Sequence, residues 1–144
     1  MNASRQPSLA DPGLWREQAL IAGQWGNADA GGRCEVRNPA TGTLLGTVPD
    51  MGAAETRQAI DAAHAAFPAW AGTTAKQRAQ VLRRMHDLMM QHQHDLAVLM
   101  TAEQGKPLAE ALGEVAYSAS YFEWFGEQAK RMDGDTIPGH AADR

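Results

Sequence analysis

Between residues 19 and 49 apolar residues come in short runs broken by turn formers, which is the pattern of strands and hairpins. Ala19-Leu20-Ile21-Ala22-Gly23-Gln24-Trp25 is apolar, turns at Ala22-Gly23 and ends near Gly26-Asn27. Cys34-Glu35-Val36-Arg37 alternates, and Leu44-Leu45-Gly46-Thr47-Val48 returns as its partner before Pro49. The intervening Asn38-Pro39-Ala40-Thr41-Gly42 is a turn with a mechanism: Pro39 fixes φ, Asn38 closes an Asx turn and Gly42 accepts positive φ. These residues predict a small antiparallel β unit over about 19–49.

After Gly52 the period becomes helical, and three helices are predicted. The first covers about 53–67, with Ile60, Ala63 and Phe67 on one face. It is expected to stop at Pro68, because the residue before a proline avoids the α region. The second covers about 74–104. Thr74 and Gln77 have capping-box spacing, and Val81, Leu82, Met85, Leu88, Met89, Leu96, Leu99 and Met100 recur at helical intervals. At 1.5 Å rise per residue this rod is roughly 40 Å long. Gly105 breaks it, and Pro107 suits the first turn of a third helix, about 107–133. That helix carries Leu108, Leu112, Val115, Ala119, Phe122 and Phe125 and ends near Gly134. Residues 1–13 are aperiodic and expected to be a flexible tail, with a short helical turn near Leu14–Gln18. Asp135 to Gly139 reads as extended, and His140 to Arg144 carries no ending signal. The fold class expected is α+β, a small antiparallel β unit followed by three helices, spanning 14–144.

Composition adds bounds. The chain has 144 residues, 44% of them hydrophobic and 21% charged, which fits one domain of ordinary globular make-up. A domain of this size is expected to bury roughly two-thirds of its unfolded surface. The net charge of −4 and the lack of a basic block argue against nucleic acid as a partner. Arg78, Arg83 and Arg84 are followed by Asp87 and Asp95, so this stretch reads as a mixed, solvated helix face. A single cysteine, Cys34, allows no internal disulfide and suits a reducing, cytoplasmic compartment. No signal peptide or membrane span is evident.

Read residue by residue, the chain shows no catalytic constellation. Cys34 follows Gly31-Gly32-Arg33 in a predicted strand, with no histidine or helix start beside it to activate a thiol. His86, His92 and His94 share one predicted helix but lack an i, i+4 pair or a completing carboxylate, so a solvated face is the simpler reading than a metal site. Glu110, Glu114 and Glu123 are expected to face water or to pair with Lys106 and Arg131. No dinucleotide-binding glycine motif or P-loop occurs. Tyr117, Tyr121 and Trp124 lie at i, i+4 and i+7 on one stripe of the third helix, beside Phe122 and Phe125. Two readings of that stripe stay open: core packing, or the wall of an apolar passage for a small ligand.

A resemblance narrows the choice. Asn38-Pro39-Ala40-Thr41-Gly42, the strand ending in Val48-Pro49, the Ala-rich helix ending in Phe67-Pro68-Ala69-Trp70, the hinge Glu103-Gln104-Gly105-Lys106-Pro107 and the segment Gly134-Asp135-Thr136-Ile137-Pro138-Gly139 stand in the order found in the aldehyde dehydrogenase superfamily. Each motif is weak alone, and together they resemble the N-terminal part of that fold, whose parent is α/β. Met100 to Ala111 and Phe122-Glu123-Trp124-Phe125 are most similar to succinate-semialdehyde dehydrogenases, and glutarate-semialdehyde enzymes share much of this.

The resemblance implies an oxidoreductase using NADP or NAD. In such enzymes a cysteine thiolate attacks the aldehyde, an asparagine and a backbone amide hold the oxyanion, hydride passes to the cofactor, and a glutamate activates water against the thioester. None of those groups has a counterpart here, so no catalytic and no cofactor-binding residue is assigned, and the chain is read as C-terminally incomplete and inactive alone. Two minor sites carry over by resemblance. Val36, Arg37 and Glu103 match a structural Na+ or K+ site, with Glu103 as a helix-end cap the competing reading. Tyr117 and Ser120 match positions along the substrate tunnel. The implied parent binds a small aldehyde and is a homo-oligomer. The alternative is a non-catalytic helical interaction module, and in either case an uncovered apolar face is expected to self-associate.

Overall fold

Two tight turns organise the N-terminal third. Ala22 and Gly23 take φ of 51° and 79°, as a two-residue hairpin turn with two left-handed positions requires. They fold β1 (Ala19–Ile21) onto β2 (Gln24–Gly26), with Leu20 opposite Trp25. At the second turn Asn38 Oδ1 accepts hydrogen bonds from the amides of Ala40 and Thr41 at 2.9 and 3.3 Å, and Gly42 takes a φ of 68°. This joins β3 (Arg33–Arg37) to β4 (Leu44–Pro49), with a register irregularity between Val36 and Arg37. The β unit is thus two separate two-stranded antiparallel sheets among the described residues. This computed structural model describes residues 6–141.

The helices are α1 (Ala53–Ala71), α2 (Ala75–Gln91), α3 (Gln93–Gln104) and α4 (Leu108–Gln128), four where the periodicity predicts three. α1 runs through Pro68 instead of stopping there. The proline removes one amide, and the carbonyl it orphans, that of His64, lies on an exposed part of the helix where water can serve it. One more turn then closes through the Gly72 amide on the Pro68 carbonyl at 3.0 Å. The predicted 74–104 rod is divided at His92, which has φ −104° and ψ 18°. Hydrogen bonds of 3.0 Å run into and out of the break, from His92 to the Leu88 carbonyl and from Leu96 to the His92 carbonyl. The interruption is one residue long and barely disturbs the apolar spacing, so periodicity does not reveal it. The Thr74–Gln77 capping box does form, with Gln77 N on Thr74 Oγ1 at 3.3 Å and Thr74 N on Gln77 Oε1 at 2.8 Å. α4 ends at Gln128, short of 133, because its bonds tighten there to i−3 spacing, as in Arg131 N on the Gln128 carbonyl at 2.9 Å.

α4 packs along both α2 and α3. The buried side chains at that junction are small: Ala79, Ala97, Ala111, Val115 and Ala119. Gly126 completes the seam. A Cβ there would lie 3.4 Å from Leu82 Cβ and 3.5 Å from the Ala79 carbonyl, so α2 and α4 meet nearly backbone to backbone. The inner stripe of α2 is Ala79, Leu82, His86 and Met89, while Val81, Met85 and Leu88 turn outward. α1 touches little besides β1, and its Ile60 and Phe67 are exposed.

The expectation of a sizeable core is therefore corrected. No large side chain among the described residues is fully buried. The chain keeps 10492 Å² of accessible surface, whereas a compact monomer of this mass keeps about 7,200 Å². The exposed α1 and the extended residues after α4 both contribute to the excess.

Of the tail expected over 1–13, residues 1–5 lie outside the described residues. The amides of Ala10 and Asp11 bind the carboxylate of Asp95 at 2.9 and 2.8 Å. Asp11 then caps a 3₁₀ turn at Pro12–Leu14, which replaces the helical turn expected over Leu14–Gln18.

A second carboxylate, that of Glu55, accepts from the Asp29 amide and the Gly52 amide, each at 3.0 Å, and so joins the strand region to the start of α1. Bonds from its own amide and then from Asp29 hold its titration below the ordinary carboxylate range against the opposing effect of burial. A group depressed in the folded state adds stability above its unfolded pKa, and that stability fades as pH falls through the folded value. The chain is expected to lose stability as the carboxylate range is crossed downward, and Glu55→Gln to flatten that acid limb in urea titrations at several pH values. At the end of α3, Gly105 has φ 78° and a Cβ there would meet Pro39 Cγ at 3.0 Å. Gly105→Ala is expected to cost about 1–2 kcal/mol, read as a lower urea midpoint.

Candidate functional site

The outer face of α4 is its most apolar exposed surface. Because Ala111, Val115, Ala119 and Gly126 turn inward, the helix necessarily turns Tyr117, Tyr121 and Trp124 outward. Tyr117 is 62% exposed and Trp124 60%, so no other element among the described residues covers this stripe. Tyr117, Ser120, Tyr121, Glu123, Trp124 and Phe125 line an open concavity of about 480 Å³. That size suits a small organic molecule.

Within it the two tyrosine rings stand edge to face, centroids 5.1 Å apart and planes at 86°, and their hydroxyls share a short hydrogen bond. The Tyr117 hydroxyl, through that bond first and its charge second, pushes the Tyr121 phenol above its ordinary titration range, and burial adds to this. Ser120 Oγ donates to the Tyr117 carbonyl at 2.7 Å, so the hydroxyl is engaged by its own helix. The rim carries charge: Glu123 pairs with Arg83 of α2 at 3.1 Å, not with Arg131. Arg131 lies 4.0 Å from Glu127, and Lys106 pairs with Glu114.

The other sequence-derived positions lie away from this face. Val36 and Arg37 flank the register irregularity of β3, and the Arg37 guanidinium folds back onto Glu35 at 2.7 Å and the Gly42 carbonyl at 2.9 Å. Glu103 is exposed in the last turn of α3. The contact between Gly105 and Pro39 brings that helix end beside the β3–β4 turn. Cys34 is exposed. His86 bonds Asp87 at 3.1 Å, and no group of three His, Cys, Asp or Glu side chains suited to a metal occurs among the described residues.

The starts of α1 to α4 are occupied by side chains of this chain. A pyrophosphate favours a free, electropositive helix start. Here Glu55, Asp95 and Glu110 occupy the first turns of α1, α3 and α4, and Gln77 closes the start of α2. Like charge and occupied amides disfavour an anion at these positions. No described helix is long and apolar enough to cross a membrane.

The residues that pattern reading missed are polar anchors. Asp95, expected on a solvated face, is only 4% exposed. Arg33, expected only to follow a turn, binds Asn27, Thr47 and the Glu17 carbonyl at 2.6–3.0 Å. The one local signal for Asp95 is its place in the first turn of a helix, legible only once the break at His92 is known.

Comparison with known proteins adds what the geometry does not. Residues 25–144 match the model described as the aldehyde dehydrogenase family. The chain is 62% identical over 136 residues to a glutarate-semialdehyde dehydrogenase of Pseudomonas aeruginosa, covering 94% of this chain and 28% of that protein. It is 61% identical over the same length to the succinate-semialdehyde dehydrogenase [NADP(+)] of Escherichia coli, with the same coverage. A crystal structure of an NADP-dependent enzyme of E. coli superposes with a TM-score of 0.91 at 61% identity, again over 94% of this chain and 28% of the other. The chain thus spans a little over a quarter of the length of these relatives.

The chain's two tyrosines make the pair directly measurable. Tyr117→Phe removes the partner and leaves one phenol. Tyr121 is expected to titrate lower than in the native pair, towards the ordinary value of about 10, by tyrosinate absorbance. An unchanged high titration would show that the pair does not set it.

Proposed function

Because this chain belongs to the aldehyde dehydrogenase family, we propose that it is part of an enzyme that oxidises succinate semialdehyde, or the closely related glutarate semialdehyde, to the acid with NADP+ or NAD+. The observation that carries this reading is similarity along nearly the whole chain to enzymes named for those two substrates. That similarity also favours the enzyme reading over the non-catalytic helical module. In the proposal α4 supplies one wall of the substrate passage through Tyr117 and Ser120, and the open apolar concavity around them supports the assignment. Cofactor binding and the chemical steps fall to other parts of the enzyme, in keeping with helix starts that disfavour phosphate.

Two further elements belong to this proposal. The carbonyls of Val36 and Arg37, with the Glu103 carboxylate, hold a structural Na+ or K+. The strand irregularity and the approach of Gly105 to Pro39 support it. The whole enzyme is a cytoplasmic homo-oligomer. The present chain, with its excess of exposed surface, self-associates through the faces carrying Phe67, Trp70, Tyr117 and Trp124.

The test compares two chains. The 144-residue chain is expected to produce no NADPH or NADH from either semialdehyde. A chain extended to the length of the relatives is expected to turn over, with Tyr117→Ala raising KM more than it lowers kcat. Turnover by the short chain would overturn the assignment of catalysis to the remainder. Sedimentation velocity is expected to show concentration-dependent association of the short chain, weakened by Trp124→Glu.

A further inference from the structure

Residues 10–17 cross the molecule from the start of α3 to the outer edge of β4, and both ends are held by carboxylates. At one end the Asp95 oxygens accept one amide each, from Ala10 at 2.9 Å and Asp11 at 2.8 Å. At the other, Glu17 Oε1 accepts the amide of Thr47 at 2.8 Å, and the Glu17 carbonyl accepts from Arg33 Nη2 at 2.9 Å. Trp15 and Glu17 lie directly on Gly46, where a Cβ would come within 2.6 Å of both. Between these ends the Asp11 carboxylate turns the chain by binding the Gly13 amide at 2.8 Å.

Besides these bonds, the Arg16 guanidinium stacks over Trp25 of β2 at 5.2 Å from the ring centroid. None of residues 6–18 is fully buried. Trp15 Nε1 has no hydrogen-bond partner among the described residues. The Thr47 amide would otherwise be an unpaired donor on a strand edge, and such edges invite pairing with another chain.

We propose that residues 10–17 form a strap, latched by Asp95, that opens as a unit and uncovers the outer edge of β4 while the α2–α3–α4 packing stays intact. Opening breaks the two amide bonds at Asp95, the Glu17 contacts, the seat of Trp15 on Gly46 and the stacking of the Arg16 guanidinium on Trp25, 5.2 Å from the ring centroid. None of these contacts involves the Ala79–Gly126 seam, where Gly126 lies against Leu82 and the Ala79 carbonyl. The strap is a local unit of low stability set on a helical unit of higher stability. The proposal is independent of the enzymatic reading.

Native-state amide exchange on the 144-residue chain tests it, with Asp95→Ala against wild type. Exchange at Ala10, Asp11 and Thr47 is expected to quicken together by about tenfold or more, the loss expected for charge-assisted bonds. Val115 and Ala119 in α4 are expected to keep wild-type rates. Trypsin is expected to cut faster after Arg16, which the strap carries. Asp95→Asn keeps the side-chain shape and one acceptor, and is expected to give intermediate rates if the larger change fails to fold. Faster exchange in α4 in parallel would make Asp95 a global stabiliser and overturn the latch. Faster exchange at Ala10 and Asp11 with Thr47 unchanged would show that the two ends do not open together, and would overturn it equally.

Discussion

The close approach of α4 to α2 and α3 is the constraint on which the rest of the structure depends. Its buried side chains are no larger than valine, from Ala79 and Ala97 to Ala111, Val115, Ala119 and Gly126, with Leu82, Leu96, Met100 and Leu112 packed beside them. Small residues let the backbones meet, and a helix that spends its small residues on one face turns its large ones to the other. The exposed aromatic surface of α4 is thus a geometric consequence of the seam. The same holds on α2, where the Ala79 stripe turns inward and Val81, Met85 and Leu88 turn outward.

Carboxylates join the separate parts: Glu55 ties α1 to the loop before β3, Asp95 ties α3 to residues 10–11, and Glu17 ties that segment to β4. Glu55 reaches Asp29, Asp95 reaches Ala10 and Asp11, and Glu17 reaches Thr47. Each accepts backbone amides that neither helix nor sheet satisfies, and such amides must find a partner when they are shielded from water. A charged acceptor makes these joints stronger than neutral ones and also makes them sensitive to acid, because protonation removes the acceptor charge. Joints of this kind suit a chain with little apolar burial, since the contact between strands and helices contributes few large side chains.

Membership of the aldehyde dehydrogenase family gives that shortage a context. The surface left by α1, by the outer face of α4 and by the extended residues that follow exceeds what a compact chain of this mass keeps. Its relatives are between three and four times as long. The helix starts carry their own acidic or amide partners, which disfavours an anion there.

The sequence by itself determined the local features. Asn38 and Gly42 specified the β3–β4 turn, Ala22-Gly23 the β1–β2 turn, Thr74 and Gln77 the start of α2, and Gly105 the end of α3, because each depends on the conformational range or reach of residues a few positions apart. The order of motifs also identified the family. It is the tertiary structure that decided where the chain departs from local preference. Pro68 stayed in its helix because its orphaned carbonyl faces water. His92 broke a periodic rod at the turn where Asp95 is claimed by Ala10 and Asp11, 85 and 84 residues away in sequence. The apolar stripe of Tyr117, Tyr121 and Trp124 was legible, but periodicity marks a face without saying what lies against it. Only the packing of α4 on α2 and α3 placed that stripe outward, and it did so because alanine and glycine permit a closer helix contact than any aromatic side chain.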